Sequence, residues 1–298
     1  NCWLNWPMSS ESRLTCQALI QAGIAKIGGD SPKLDAELLL AHVTGLTRTS
    51  FIAWPDREIS EAQARNFRAL VDKRAEGQPV AYLLGEQEFW SLPLKVSPTT
   101  LIPRPDTECL VEAALELALP ESARVLDLGT GTGAIALALA GERSQWLITA
   151  TDRVAEAVAL ARQNSERLGL PINVLQSDWF SQLPPGSRFD LLISNPPYIP
   201  ARDQHLGEGD VRFEPASALV SGDDGLDDIR TLIQNAPGWL TDNGWLMLEH
   251  GYDQGEAVRE LFDAAGWRGV DTRRDYGGNE RLTLAMKPAA NRTEANSC

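Results

Sequence analysis

Arg124-Val125-Leu126-Asp127-Leu128-Gly129-Thr130-Gly131-Thr132-Gly133-Ala134 is a short, largely apolar run that breaks into alternating glycines and then resumes as apolar residues. Residues 124–128 read as a strand buried on both faces of a sheet, being too short for a core helix and ending abruptly in turn residues. Residues 134–140 read as the helix that follows. Glycines at such a strand-to-helix junction let a ligand press against the backbone. Gly129, Gly131 and Ala134 also satisfy the dinucleotide-binding spacing, which taken alone is weak evidence.

Downstream of this junction, strand patterns at 147–151, 172–176, 191–194 and 245–249 alternate with helical patterns at 155–168, 227–236 and 256–265. That alternation specifies a parallel sheet with right-handed crossovers. Residues 267–275 and 281–286, joined by Gly277-Gly278-Asn279, close it as an antiparallel pair, giving an α/β fold of seven strands. Upstream, no strand is legible between residues 10 and 85. Leu14, Ala18, Leu19 and Ala22 share one helical face; Ser31-Pro32 supplies an N-cap and first-turn proline for 33–43; Ser60 caps 61–76, which Gly77 closes. This predicts a small all-helical amino-terminal domain, either a structural cap or a surface that recognises a macromolecular substrate, the latter being favoured. Phe89-Trp90 and Leu94-Lys95-Val96, around Ser91-Leu92-Pro93, predict a connecting β-hairpin. In Leu101-Ile102-Pro103-Arg104-Pro105-Asp106-Thr107-Glu108 the prolines predict an extended approach, with Asp106 or Thr107 capping a helix to about Leu119; Arg104 either faces a ligand or is simply solvated. The expected domains are 1–85 (helical), 86–103 (hairpin linker), 104–288 (catalytic α/β) and 289–298 (flexible tail).

The 298 residues, 43% hydrophobic, suffice for two domains with real cores. With 27 Lys+Arg against 41 Asp+Glu, a formal charge of −14 argues against a broad nucleic-acid-binding surface, which needs cations for phosphate, and leaves room only for a local basic patch. Cys2, Cys16, Cys109 and Cys298 have no paired spacing, so neither a disulfide framework nor a zinc site is expected and the compartment is read as reducing. No apolar run reaches membrane-spanning length and no secretory signal pattern opens the chain, so a cytoplasmic location is expected, away from membranes. Residues 1–7 precede Met8 and are read as a non-native or loosely ordered extension. His42, His205 and His250 lack metal-type spacing and are read as surface or loop residues.

Charge distinguishes the possible ligands of the glycine loop. A pyrophosphate would face Asp127 before the glycines and Asp152 at the end of the second strand, with no Arg or Lys inside the loop. Those carboxylates suit a cationic ligand with a ribose, Asp152 for the ribose hydroxyls and Asp127 for a positive amino-acid portion. S-adenosylmethionine carries both a sulfonium and an ammonium. Trp179, in Ser177-Asp178-Trp179 past the third strand, offers an aromatic surface for adenine. Singly, Asp127 could be a helix-dipole carboxylate and Trp179 a core aromatic; their joint placement at successive strand ends favours the methyl-donor pocket.

Residues 190–198, Asp-Leu-Leu-Ile-Ser-Asn-Pro-Pro-Tyr, add the second half of a site. Asn195 falls where a buried strand ends, the ligand-binding edge of an open α/β sheet. Pro196 and Pro197 stiffen the turn and bring carbonyls without competing N–H groups. An Asn side-chain carbonyl beside rigid backbone carbonyls suits a planar –NH2 and stabilises the more electron-rich nitrogen formed as it attacks. Tyr198 is placed to stack on the flat group. A plain proline-rich turn is the competing reading, and the upstream pocket decides against it.

With Pro103-Arg104-Pro105-Asp106-Thr107-Glu108, Asp127 to Gly133, Ser177-Asp178-Trp179, Asn195 to Tyr198, Phe213-Glu214-Pro215, Ala218-Leu219 and Gly222-Asp223-Asp224-Gly225 in this order, the chain resembles the PrmC/HemK family of glutamine methyltransferases over most of its length. Asn-Pro-Pro-Tyr alone is shared with methyltransferases of DNA and RNA amino groups. The resemblance implies a Rossmann-like class I methyltransferase domain behind a helical amino-terminal domain, and S-adenosylmethionine held by Gly129, Thr130, Gly131, Thr132, Gly133, Asp152, Trp179 and Asn195. It implies a substrate glutamine gripped by Asn195, Pro196, Pro197 and Tyr198, in the Gly-Gly-Gln motif of class I peptide chain release factors, without a metal or direct nucleic-acid partner and with a monomer favoured. Asp106 stands where the family pattern leads us to expect Glu, which keeps both charge and capping ability.

Overall fold

The computed structural model describes residues 14–289; the expectations for residues 1–7, and for the tail from 290 on, lie outside them. The described chain divides into two compact units. One runs to Glu86 and takes in Gly207–Phe213; the other comprises Gln87–Leu206 and the chain from Glu214 on.

The first unit is helical: α1 Cys16–Ile27, α2 Pro32–Thr44, α3 Arg48–Ala53, α4 Glu61–Ala75 and α5 Val80–Leu84. Its core holds Leu19, Leu39, Leu40, Phe67 and Val71, all fully buried. Ser60 forms a reciprocal capping box with Gln63 at the start of α4. Ser31 stands at the N-cap of α2 with Pro32 following, but its side chain caps nothing, contrary to the sequence expectation; the proline fixes the first turn without it. The inward face of α1 is Cys16, Leu19, Ile20, Ala22 and Gly23, while Leu14 and Ala18 are only half-buried. Segment 207–213, which the sequence reading leaves in the catalytic domain, is tied to this unit by Asp210, 2.7 Å from the Arg74 guanidinium that also pairs with buried Asp35.

The second unit opens, from Gln87, in a hairpin whose strands are β1 Glu86–Phe89 and β2 Leu92–Lys95. Its turn is Trp90-Ser91, both at positive φ (52° and 58°), one step earlier than the expected Ser91-Leu92-Pro93 because Leu92 pairs in the second strand. The hairpin is a packed part of this unit: Phe89 and Leu94 lie in its core. Then follow α6 Glu108–Glu116, β3 Arg124–Leu128, α7 Ala134–Glu142, β4 Leu147–Asp152, α8 Ala155–Leu168, β5 Asn173–Gln176, β6 Phe189–Ser194, α9 Asp227–Asn235, β7 Leu240–Glu249, α10 Gly255–Ala264, β8 Arg268–Arg274 and β9 Glu280–Met286. The sheet order is β5-β4-β3-β6-β7-β9-β8, parallel through β7 and antiparallel thereafter. This is the seven-stranded α/β sheet with a closing antiparallel pair that the alternation of elements specifies. The chain winds outward from β3 to β5 and then returns beside β3 as β6, so the switch point, where open sheets bind ligands, lies between β3 and β6. Leu128 and Ser194 are register partners there, and the glycine loop and the Asn195 bend leave adjacent strand ends.

Candidate active site

A cleft opens at this switch point, where open α/β sheets bind ligands. Its wall includes Gly129, Thr130, Gly131 and Thr132 from the loop after β3, Asp152 at the end of β4, Trp179 beyond β5, and Asn195 and Pro197 beyond β6. Asp127, Gly133, Pro196 and Tyr198 are not part of that wall. Asp127 lies fully buried beneath the loop, Gly133 packs against Ala161 and Leu137, and Tyr198 packs into the core beside the bend.

Gly129 lies at φ +72°, and a Cβ there would stand 3.4 Å from the Trp179 ring. The indole thus closes directly over the glycine backbone. Trp179 itself has φ +47°, a costly region for a bulky side chain. Ser177 holds it there, its hydroxyl donating to Trp179 O and accepting from Gln182 N. Asp152 accepts from Gly131 N and Val154 N, each at 2.9 Å, and burial pushes its carboxyl up. Its wall position leaves it placed for sugar hydroxyls. Asp127 Oδ2 accepts from the Thr130 hydroxyl at 2.5 Å, while Oδ1 has no hydrogen-bond partner. Burial pushes this carboxyl up to about 7, with repulsion from Asp152 adding to the rise and the Thr130 hydroxyl and Ala136 N–H opposing it. An orphaned buried carboxylate oxygen under the loop, a second carboxylate on the wall and a glycine–indole slot fit a cationic adenosine derivative such as S-adenosylmethionine.

Asn195 is turned by Thr107. Its Nδ2 donates to Thr107 Oγ1 at 3.1 Å, so the opposite, carbonyl end of the amide is the end free to accept. Thr107 stands at the N-cap of α6, one of the two positions expected, but its side chain caps nothing; it ends a short 3-10 turn and turns its hydroxyl to this contact. The bend is pinned further along: Tyr198 donates its hydroxyl to Glu249 Oε1 at 3.3 Å, and its carbonyl accepts from Gln254 Nε2 at 3.0 Å. Gly225, at φ +79°, passes so close that a Cβ would stand 2.2 Å from Tyr198 O. Arg104 is on the cleft wall, where it pairs with buried Glu214 at 2.6 Å.

Several residues of the site escape a reading of the sequence. Asn164 of α8, fully buried, exchanges hydrogen bonds with the Lys95 backbone at 2.8 and 3.0 Å and donates to Thr132 O at 2.9 Å, tying the hairpin to the glycine loop. The signal was present as a polar residue on the apolar stripe Ala157, Val158 and Ala161. Thr107 and Glu249 meet Asn195 and Tyr198 only through tertiary folding, and nothing in their local sequence marks them. His250 is a correction: it is fully buried, bonded through Nδ1 to Gly251 O and through Nε2 to Thr283 Oγ1, because it continues β7 under the sheet edge. His42 and His205 are exposed. Among the described residues no cluster of His, Cys, Asp or Glu is placed to hold a metal ion, and no helix is long and apolar enough to cross a membrane.

Residues 13–85 match the PrmC N-terminal domain family, and residues 106–216 the methyltransferase small domain family. The release factor glutamine methyltransferase of Pseudomonas aeruginosa is 60% identical over 260 residues, covering 86% of this chain and 94% of the relative. That of Salmonella typhimurium is 56% identical over 255 residues, covering 85% and 92%. Among solved structures, a methyltransferase from Pyrococcus furiosus shares the fold with TM-score 0.51 at 19% identity, covering 66% of this chain and 89% of its own.

Proposed function

The chain belongs to the release factor glutamine methyltransferase family, and from that premise we propose that it methylates the side-chain amide nitrogen of the Gly-Gly-Gln glutamine in class I peptide chain release factors, modulating translation termination. S-adenosylmethionine supplies the electrophilic methyl group when bound. The observation that carries the reading is Asn195, locked by Thr107 with its acceptor end free, at the rim of a cleft floored by Gly129 and flanked by Asp152 and Trp179.

In this reading Asp152 takes the ribose hydroxyls, Trp179 covers the adenine, and Asp127 favours the positive charge from beneath the loop. Asn195 Oδ1 and the carbonyls of the proline turn accept the amide hydrogens of the substrate glutamine. These hydrogen bonds strengthen as the attacking nitrogen builds positive charge and its hydrogens become more acidic in an in-line displacement, so they stabilise the transition state more than the ground state. With the donor held by Gly129, Asp152 and Trp179, the glutamine nitrogen would take its methyl group as the sulfur leaves as a neutral thioether, and the nitrogen would give up one proton to solvent. Pro197 lines the approach, while Pro196 and Tyr198 hold the shape of the bend. The helical unit is proposed as the surface that recognises the release factor, and the protein as a cytoplasmic monomer.

Labelled donor incubated with a release factor is expected to mark the Gly-Gly-Gln glutamine alone; label elsewhere overturns the assignment. Asn195→Ala is expected to lower turnover by two orders of magnitude or so, the scale of losing one preorganised hydrogen bond at the reacting atom, with much less effect on donor affinity.

A further inference from the structure

We propose that Glu249 is a positioning residue for methyl transfer, acting through the hydroxyls of Thr107 and Tyr198 to keep the Asn195 amide turned with its oxygen toward the acceptor glutamine. The inference rests on the function proposed above and deepens it.

Glu249 ends β7, opposite Leu282 of β9, and is 2% exposed. A carboxylate so placed needs an account, since Oε2 closes no full hydrogen bond and burying such a group unpaired is costly. Both neighbouring hydroxyls belong to the substrate-gripping bend or its support. Tyr198 donates to Oε1, and the Thr107 hydroxyl favours the ionised form of the carboxylate. Thr107 already accepts from Asn195 Nδ2, and a hydroxyl has a single proton to give.

Polarity therefore propagates through the contact. A carboxylate only accepts, so the Thr107 proton faces Glu249 and the Thr107 lone pair faces the Asn195 –NH2, leaving Oδ1 for the substrate. A protonated Glu249 can donate instead. The Thr107 proton is then free to face Asn195, which favours the flipped amide and presents a donor where the reaction needs an acceptor.

The charged and titratable groups around the carboxylate come from every element packed on it: Tyr198 from the bend, Asp106 and Cys109 at the start of α6, Arg281 on β9 and Asp275 beside it. Arg281 is shared, lying 3.0 Å from Asp275 and 3.6 Å from Asp106, so it only partly offsets burial. Burial dominates and pushes Glu249 up to about 7, which puts the switch in the physiological range.

The test is turnover on release factor against pH, at saturating donor, for wild type, Glu249→Gln, Thr107→Val and Thr107→Ser. Wild type is expected to gain turnover as pH rises through about 7. Glu249→Gln should lose about tenfold in kcat at pH 8, the scale of about 1.4 kcal/mol, with that pH limb abolished and with donor Kd and release-factor KM little changed. Its melting temperature at pH 8 should be no lower than that of wild type, which separates positioning from a structural role. Thr107→Val should behave alike, and Thr107→Ser, which keeps the hydroxyl, should retain clearly more turnover; this pair reads the same contact if the glutamine variant fails to fold. A Glu249→Gln enzyme as fast as wild type, or one that keeps the pH limb unchanged, overturns the inference. Wild type that leaves the release factor unmethylated overturns instead the function on which the inference rests.

Discussion

Gly129 meets the demand of a left-handed backbone, φ +72°, beside the Trp179 ring, which a Cβ there would only touch, at 3.4 Å. Gly129→Ala is expected to cost about 1 kcal/mol of backbone strain and so to shift the glycine loop against which the indole lies. Calorimetry should show donor affinity weakened by fivefold or more. Gly225 meets a comparable demand at Tyr198 O, so the glycine pattern around residues 222–225 marks a close passage of two loops. Asp152 and Asn195 stand at the strand ends where the sequence places them, because the pattern of apolar runs fixes position there to within a residue. Thr107, Asn164 and Glu249 do not read out, because their partners lie 88, 69 and 51 residues away along the chain.

At the scale of elements, α4 is started by a complete capping box and buries Phe67 against Gly23 of α1, whose added Cβ would stand 3.0 Å from the ring. Ser60→Ala is expected to lower the stability of the helical unit by about 1 kcal/mol, and Phe67→Ala by about 3–5 kcal/mol, both measurable by denaturant titration. On α8, Asn164→Ala leaves the backbone groups of Lys95 and the Thr132 carbonyl without their partners. Each buried orphan costs about 1–3 kcal/mol. The expected outcome is a lower melting temperature together with weaker donor binding, since Thr132 lines the cleft. The short helices α3 and α5, of six and five residues, were not legible because one or two turns carry no period; packing against the helical core decides them.

For the molecule as a whole, two buried carboxyls, Asp127 and Glu249, are both raised to about 7 by burial. A raised acid supports the fold when protonated, so its contribution is fully present below its ordinary range and is lost as pH rises through about 7. Stability is therefore expected to fall across that interval. Asp127→Asn should remove part of the fall and be more stable than wild type above about pH 7, by on the order of a few kcal/mol. A bound cation favours ionised Asp127, so donor affinity should rise with pH over the same range in wild type and stay flat in Asp127→Asn; denaturation and calorimetry at several pH values check both. The sequence alone determined the order of strands and helices, the antiparallel closing pair, and the loops at residues 129–133 and 195–198 that leave the ends of β3 and β6, because periodicity, glycine and proline are local signals. Only the tertiary structure decided that segment 207–213 joins the helical unit, that His250 is buried, and that Thr107 meets Asn195 and Glu249 meets Tyr198. Those outcomes depend on which distant groups share a low-dielectric interior, and a buried polar atom takes its partner from whatever the fold brings within hydrogen-bond reach.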